Sequence, residues 1–120
     1  MNARSRLASL YEEWRLMSES EGDAIRSAAW QRVDQCQSVK AELRQRILHA
    51  IEAATDSRTT AEEMRLHFRP VLEHLISLEA RNGQWLQEER SRLEAERDQL
   101  GRNHGNLRRI HHAYGAHAVA

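Results

Sequence analysis

Cysteine, proline and glycine are scarce in this chain of 120 residues, which contains one cysteine, one proline and five glycines. A single cysteine, Cys36, excludes a framework of disulfides and leaves no cysteine pair for a zinc ribbon. Because all-β and α/β folds need many turns, so few glycines and prolines exclude both classes. The remaining composition, 40% apolar and 30% charged residues with a mean hydropathy of −0.78, is typical of long amphipathic helices.

Net charge is absent as well, because 18 lysines and arginines balance 18 aspartates and glutamates. Proteins that bind nucleic acid generally carry a basic excess, so we expect no nucleic-acid partner. No apolar run approaches the roughly 20 residues of a membrane-spanning helix, and no signal-peptide core follows the charged first residues. We therefore expect a cytoplasmic protein without a membrane span.

The first two predicted helices follow from apolar residues at helical spacing. The first helix ends at a short break near Ser27, which suits an N-cap for the next helix, with Gly22 as the alternative break. The second helix is predicted over residues 28–54. One charged residue interrupts each apolar stripe, Glu21 in the first helix and Lys40 in the second.

A third helix is predicted after a polar connector at residues 55–59. Thr59 and Thr60 are each followed three residues later by a glutamate, Glu62 and Glu63, and these two overlapping capping boxes place the start of the helix near Thr60. Pro70 lies inside the pattern, where it removes an amide donor and predicts a kink near Leu66. If the kink is a break, Pro70 becomes the first residue of the main helix.

The predicted fold is therefore all-α, an antiparallel bundle of three main helices with a long, kinked third helix. We expect one domain over residues 1–115 and a flexible tail over residues 116–120. The predicted core, where the three helices meet, consists of Trp14, Leu43, Ile47, Leu75 and Leu78.

Leucines recur every seven residues in the last third of the chain, with charged residues between them. A coiled-coil seam needs two apolar positions per heptad, and here Arg90, Arg97 and His104 occupy the second position. Gly101 and Gly105 are expected to weaken helix continuity near residue 101. The predicted partner-binding residues are Trp85, Leu86, Leu93, Leu100, Leu107, Ile110 and Tyr114. Trp85 stands where the continuous stripe ends, as either the last core layer or an interface anchor.

The sequence contains no pattern typical of a metal site or of a catalytic site. Two histidine pairs, His67 with His74 and His104 with His111, are spaced by seven residues, and neither pair has a carboxylate or a third imidazole four residues on in a pattern such as His-Glu-x-x-His. Zinc sites need three or four protein ligands, so we expect no metal site. Without a nucleophile elbow or a phosphate-binding glycine loop, we expect neither catalytic residues nor a cofactor.

Four short segments carry a resemblance. Their residues are Glu21-Gly-Asp-Ala24-Ile25, Lys40-Ala-Glu-Leu43, Asn82-Gly-Gln-Trp85-Leu86 and Tyr114-Gly115. They resemble, in order and separation over residues 10–115, the E-x-x-A-L, K-x-x-L and N-G-x-L-L elements and the aromatic-glycine ending of the FlgN-like flagellar type III export chaperones. The Tyr–Gly spacing is shorter here than in the family.

This resemblance implies a cytoplasmic helical chaperone that holds late flagellar export substrates, the hook–filament junction (hook-associated) proteins, before secretion. It also implies that the C-terminal helix binds the partner, with components of the export machinery as a second class of partner. The heptad leucines independently indicate a partner-binding helix, because an incomplete leucine seam offers a row of apolar side chains to a helix of a partner.

Two other functions remain open at this stage. A structural coiled-coil adaptor would self-assemble through the same leucines, whereas a chaperone is expected to be a monomer or a weak homodimer. A small helical enzyme would need buried arginines that converge on a pocket.

Overall fold

The computed structural model describes residues 2–55 and 59–119, with side chains described up to Tyr114. All regular structure in these residues is helical, which confirms the all-α class. The helices are α1 (Ala3–Arg26), α2 (Trp30–Ala54), α3 (Ala61–His67) and α4 (Arg69–Val119). The chain divides into two compact units, Met1–Leu86 and Gln87–Ala120, and the single domain expected over residues 1–115 stays a prediction. Of the predicted connector, residues 56–58 lie outside the described part of the chain.

The break near Ser27 is confirmed, but the predicted N-cap role of Ser27 is wrong. Ser27 is the C-cap of α1, and the chain turns at Ala28, whose φ is 55°. The amide of Ala28 donates to the carbonyl of Ile25, and the next amide donates to Ala24, which is the Schellman pattern of a helix end. The orphan carbonyls of α1 are thus satisfied by backbone alone, and α2 begins without a side-chain cap.

The predicted single third helix is divided at Phe68 into α3 and α4, so the break replaces the kink expected near Leu66. The predicted start near Thr60 is confirmed, and of the two capping boxes the N-cap is Thr60, whose Oγ1 accepts a hydrogen bond from the amide of Glu63 at 3.1 Å. Pro70 is the second residue of α4 rather than its first. Amides in the first turn of a helix have no intrahelical acceptor, so proline loses nothing there.

The first unit contains two apolar clusters. Ala24, Ile25 and Val33 form the cluster beside the α1–α2 turn. The larger cluster joins the start of α1 to the end of α2 and includes Leu7 and Ala50. Helices α1 and α2 therefore run antiparallel as a hairpin.

Helices α3 and α4 contribute to the larger cluster. Phe68 packs edge-on against Tyr11, with ring centroids 5.1 Å apart. Three of the predicted core residues, Leu43, Leu75 and Leu78, are buried. The other two, Trp14 and Ile47, are half-buried and pack against the margin of the cluster.

The second unit is helical through Val119. Gly101 and Gly105 do not interrupt it, contrary to the expected weakening. Of the tail predicted at residues 116–120, Ala120 and all the side chains lie outside the described part of the chain. Among the described residues, no helix combines the length and apolar character needed to cross a membrane.

Candidate protein-binding surface

Five of the predicted binding residues form an exposed apolar row on α4 in the second unit. The exposed fractions are 43% for Leu93, 68% for Leu100, 65% for Leu107, 51% for Ile110 and 74% for Tyr114. Steps of seven, three and four residues keep these side chains on one face of an α-helix. We call this set, from Leu93 to Tyr114, the apolar row.

Charged side chains accompany the apolar row. Arg92 binds Glu89 at 2.6 Å and Glu96 at 3.5 Å, and its hydrogen bond with Glu89 raises the pKa of the Arg92 guanidinium. Such pairs three and four residues apart stabilise a helix that has little packing of its own. Arg90 and Arg97 are exposed, as expected for positions that do not complete a seam.

Trp85 and Leu86 differ from the rest of the predicted set. Both are half-buried and pack against the Ala24–Ile25–Val33 cluster of the first unit. The structure therefore divides the seven predicted residues into two that belong to the core margin and five that are exposed.

Two arginines lie against the ring of Trp85. The guanidinium carbon of Arg26 is 4.7 Å from the ring centroid, and that of Arg81 is 4.3 Å away. Both distances are within the range of cation–π attraction. The ring of Trp85 thus contacts one arginine of α1, Arg26, and one arginine of its own helix α4, Arg81.

A buried ionic cluster joins the two charged residues that interrupt the apolar stripes. Lys40 is 6% exposed and Glu21 is 4% exposed, and Lys40 Nζ lies 3.3 Å from Glu21 Oε1. Lys40 also forms an ion pair with Glu79 of α4 and lies 4.9 Å from the ring centroid of Trp14. Burial of a lone ammonium is unfavourable, so these carboxylates are what permit a lysine in the core.

Neutral donors complete this ionic cluster. Asn82 Nδ2 donates to the backbone carbonyl of Ser18 at 2.7 Å and to Glu21 Oε1 at 3.0 Å. Ser18 Oγ donates to Glu79 Oε1 at 2.7 Å, and Trp14 Nε1 donates to the same oxygen at 3.1 Å. Within the described part of the chain, every buried side-chain nitrogen and oxygen has a hydrogen-bond partner.

The pKa of Glu79 reflects two opposing influences. Partial burial raises the pKa of this carboxyl, whereas hydrogen bonds from Lys40 and Ser18, the charge of Lys40 and the indole of Trp14 lower it. The lowering effects prevail, so the pKa of Glu79 lies below its usual range. The cluster therefore holds Glu79 in its ionised form.

Sequence analysis singled out two residues of this cluster, as charges that interrupt apolar stripes, but did not pair them. Glu21 and Lys40 stand out as opposite charges at apolar positions of two adjacent helices, which is the signal of a buried pair. Glu79 carries no such signal, because it follows the core residue Leu78 and reads as an ordinary surface carboxylate. Only the packing of α4 shows that Glu79 faces Lys40.

The two histidine pairs lie on the surface. All four side chains, at residues 67, 74, 104 and 111, are exposed. Over residues 2–55 and 59–114, no three histidine, cysteine, aspartate or glutamate side chains converge as metal ligands would.

Comparison with protein-family models, with curated proteins and with solved structures gives no match to this chain.

Proposed function

We propose that this protein is a FlgN-like export chaperone that binds hook–filament junction proteins in the cytoplasm before their secretion. The observation that carries the proposal is the apolar row, five exposed apolar side chains on one helical face. A large exposed apolar face is typical of a surface that binds another protein. The row fits the mode in which a partner helix inserts side chains at heptad spacing.

The segments that carry the family resemblance supply a second line of support. Glu21, Lys40 and Asn82 each begin one of these segments, and all three belong to the buried ionic cluster. Residues that meet in one cluster share a structural reason to occur together in a sequence.

We also propose that α3 and α4 act together as the kinked third helix of an antiparallel three-helix bundle.

The leucines of the apolar row can contribute more free energy to the binding of a partner than they contribute to folding. Burial of one leucine contributes about 1.5–3 kcal/mol, and the exposed leucines of the apolar row have not gained it. A partner that buries Leu93 and Leu100 would therefore gain enough free energy for a change of a hundredfold or more in affinity. We expect no catalytic role for this surface.

The test is the double variant Leu93→Ala, Leu100→Ala, measured for binding to a purified hook–filament junction protein by calorimetry. The matched control is Leu16→Ala, Leu48→Ala, which removes two leucines of the first unit that are 53% and 48% exposed. We expect the first variant to bind at least about a hundredfold more weakly and the control to bind like the wild type. Full retention of binding by the first variant contradicts the proposal.

A self-assembling coiled-coil adaptor is the second candidate, because Leu107, Ile110 and Tyr114 together complete one heptad of a seam. Sedimentation of the wild type over a range of concentrations separates the candidates. The chaperone is expected to be a monomer or a dimer that dissociates on dilution, whereas an adaptor stays assembled.

A further inference from the structure

Arg26 and Arg81 bring two positive charges to one aromatic ring. Their guanidinium carbons lie 4.7 and 4.3 Å from the centroid of Trp85. Two like charges beside the same ring repel each other, and a nearby group of negative charge would reduce that repulsion.

No such group is supplied within the described residues. In residues 2–55 and 59–114, no carboxylate oxygen lies within 4.0 Å of either guanidinium, although Arg15, Arg65 and Arg92 all have carboxylate partners. The hydrogen bonds of Arg81 go to the neutral Oδ1 of Asn82, at 3.3 and 3.4 Å. Arg26 lies in the last turn of α1, where the helix dipole favours a cation, but this does not account for the second arginine.

Arg81 approaches α1 closely at Gly22. A Cβ atom built on Gly22 would lie 2.7 Å from Arg81 Nη2 and 3.0 Å from Trp85 Cζ3. The absence of a side chain at Gly22 therefore allows both Arg81 and the indole to lie against α1, where Arg81 is held by hydrogen bonds to Asn82 Oδ1. A guanidinium held in this way loses less entropy when it binds a ligand than a free surface arginine would.

We infer that Arg26, Arg81 and Trp85 form a binding site for an acidic side chain of a protein partner. The inference rests on the proposed protein-binding function and specifies the partner's chemistry. A guanidinium fork matches a carboxylate, and tryptophan and arginine are enriched among the residues that dominate protein interfaces. The half-buried Trp85 supplies apolar contact beside the charge, which suits a glutamate or aspartate on an amphipathic helix.

The test uses the full-length chain labelled with ¹⁵N and a synthetic peptide of alanine, leucine and glutamate. The peptide has about 20 residues, or roughly 30 Å of helix. A second peptide has glutamine in place of every glutamate, and inorganic phosphate is the third probe. The signals followed are the Nε1–H of Trp85 and the Nε–H groups of Arg26 and Arg81. The variant is Arg26→Gln, Arg81→Gln, and the control is Arg4→Gln, Arg44→Gln, which removes two exposed arginines of the first unit.

We expect the glutamate peptide to shift these signals, and the Arg26→Gln, Arg81→Gln variant to weaken its binding at least about tenfold. The control should bind within about twofold of the wild type, because long-range charge alone is screened by salt. Equal binding of the glutamine peptide, or unchanged binding by the Arg26→Gln, Arg81→Gln variant, overturns the inference. The same shifts with phosphate at equal concentration also overturn it, because the site then selects free oxyanions.

These outcomes are separable from those of the apolar row. If hook–filament junction proteins do not bind but the glutamate peptide shifts the Trp85 signal, the proposed function fails and the carboxylate site stands. If Leu93→Ala, Leu100→Ala abolishes binding of a junction protein while Arg26→Gln, Arg81→Gln leaves binding of both that protein and the peptide unchanged, the proposed function stands and the site is overturned.

Discussion

At the scale of single residues, the ionic cluster shows how a charge becomes acceptable inside an apolar stripe. Lys40 lies at a position where apolar residues precede and follow it at helical spacing, yet it is buried. The carboxylates of Glu21 and Glu79 and the indole ring of Trp14 stabilise its positive charge. A buried ion pair contributes little net stability, but removal of one partner leaves an uncompensated charge. The cluster therefore favours one register of the three helical segments over others.

Glu79 provides a test of this cluster through pH. Its pKa is lowered in the folded state, so its contribution to stability is present above the ordinary value of 4.5 and is lost as the pH falls through the folded value. We expect Glu79→Gln to be less stable than the wild type at neutral pH and to lose less stability in acid. Urea denaturation at a series of pH values measures both effects.

The control for this experiment is Glu42→Gln, a change at an exposed carboxylate of α2. It should reproduce the pH dependence of the wild type. If Glu79→Gln also follows the wild-type curve, Glu79 is not linked to folding.

At the scale of helices, Gly22 decides how closely α1 and α4 approach each other. A Cβ at this position would lie 2.7 Å from both Arg81 Nη2 and Asn82 Oδ1. Asn82 is 2% exposed and is held by hydrogen bonds to α1, so it has little freedom to move aside. The close approach therefore depends on glycine.

Two glycine substitutions are expected to have opposite effects. Gly22→Ala should lower the free energy of unfolding by about 1–3 kcal/mol, because it overpacks the α1–α4 contact. Gly83→Ala, one turn before Leu86, has open space around its Cβ and should raise stability by up to about 1 kcal/mol through helix propensity. Chemical denaturation of both variants measures the difference. A stabilising effect of Gly22→Ala contradicts the packing argument.

At the scale of the whole molecule, the two units differ in what holds them together. The first unit contains all the buried apolar residues among those described. In the second unit, residues 87–114 include no buried side chain, and ion pairs such as Arg92–Glu89 stabilise the helix locally. Stability is therefore concentrated in the first unit, whereas the large apolar residues of the second unit, from Leu93 to Tyr114, are all exposed.

This difference predicts unequal costs for leucine truncation. Leu43→Ala, at a position 3% exposed, should lower the free energy of unfolding by about 2–5 kcal/mol. Leu100→Ala, at a position 68% exposed, should change it by no more than about 0.5 kcal/mol. Urea denaturation followed by circular dichroism is the measurement. Similar costs for the two variants would mean that Leu100 is buried in solution, as in a stable self-assembly.

The sequence by itself determined the helical class and several of the helix ends. Apolar residues at helical spacing and the scarcity of proline and glycine allow no other class, and the start near Thr60 follows from its capping chemistry. The break near Ser27 was placed correctly, although Ser27 is a C-cap and not the predicted N-cap. The sequence also indicated that Leu93 and Leu100 belong to an incomplete seam and that Lys40 is out of place on its stripe. These features depend on neighbours within one or two helical turns, which the sequence shows directly.

Only the tertiary structure decided which residues meet across helices. It paired Lys40 with Glu79, brought Arg26 of α1 and Arg81 of α4 to Trp85, and placed Trp85 at the core margin rather than on the apolar row. Helical periodicity shows which face a residue occupies, but it carries no information on which residue of another helix lies opposite. That pairing depends on how side chains of different sizes interlock between helices, and a missing side chain such as that of Gly22 decides it as much as those that are present.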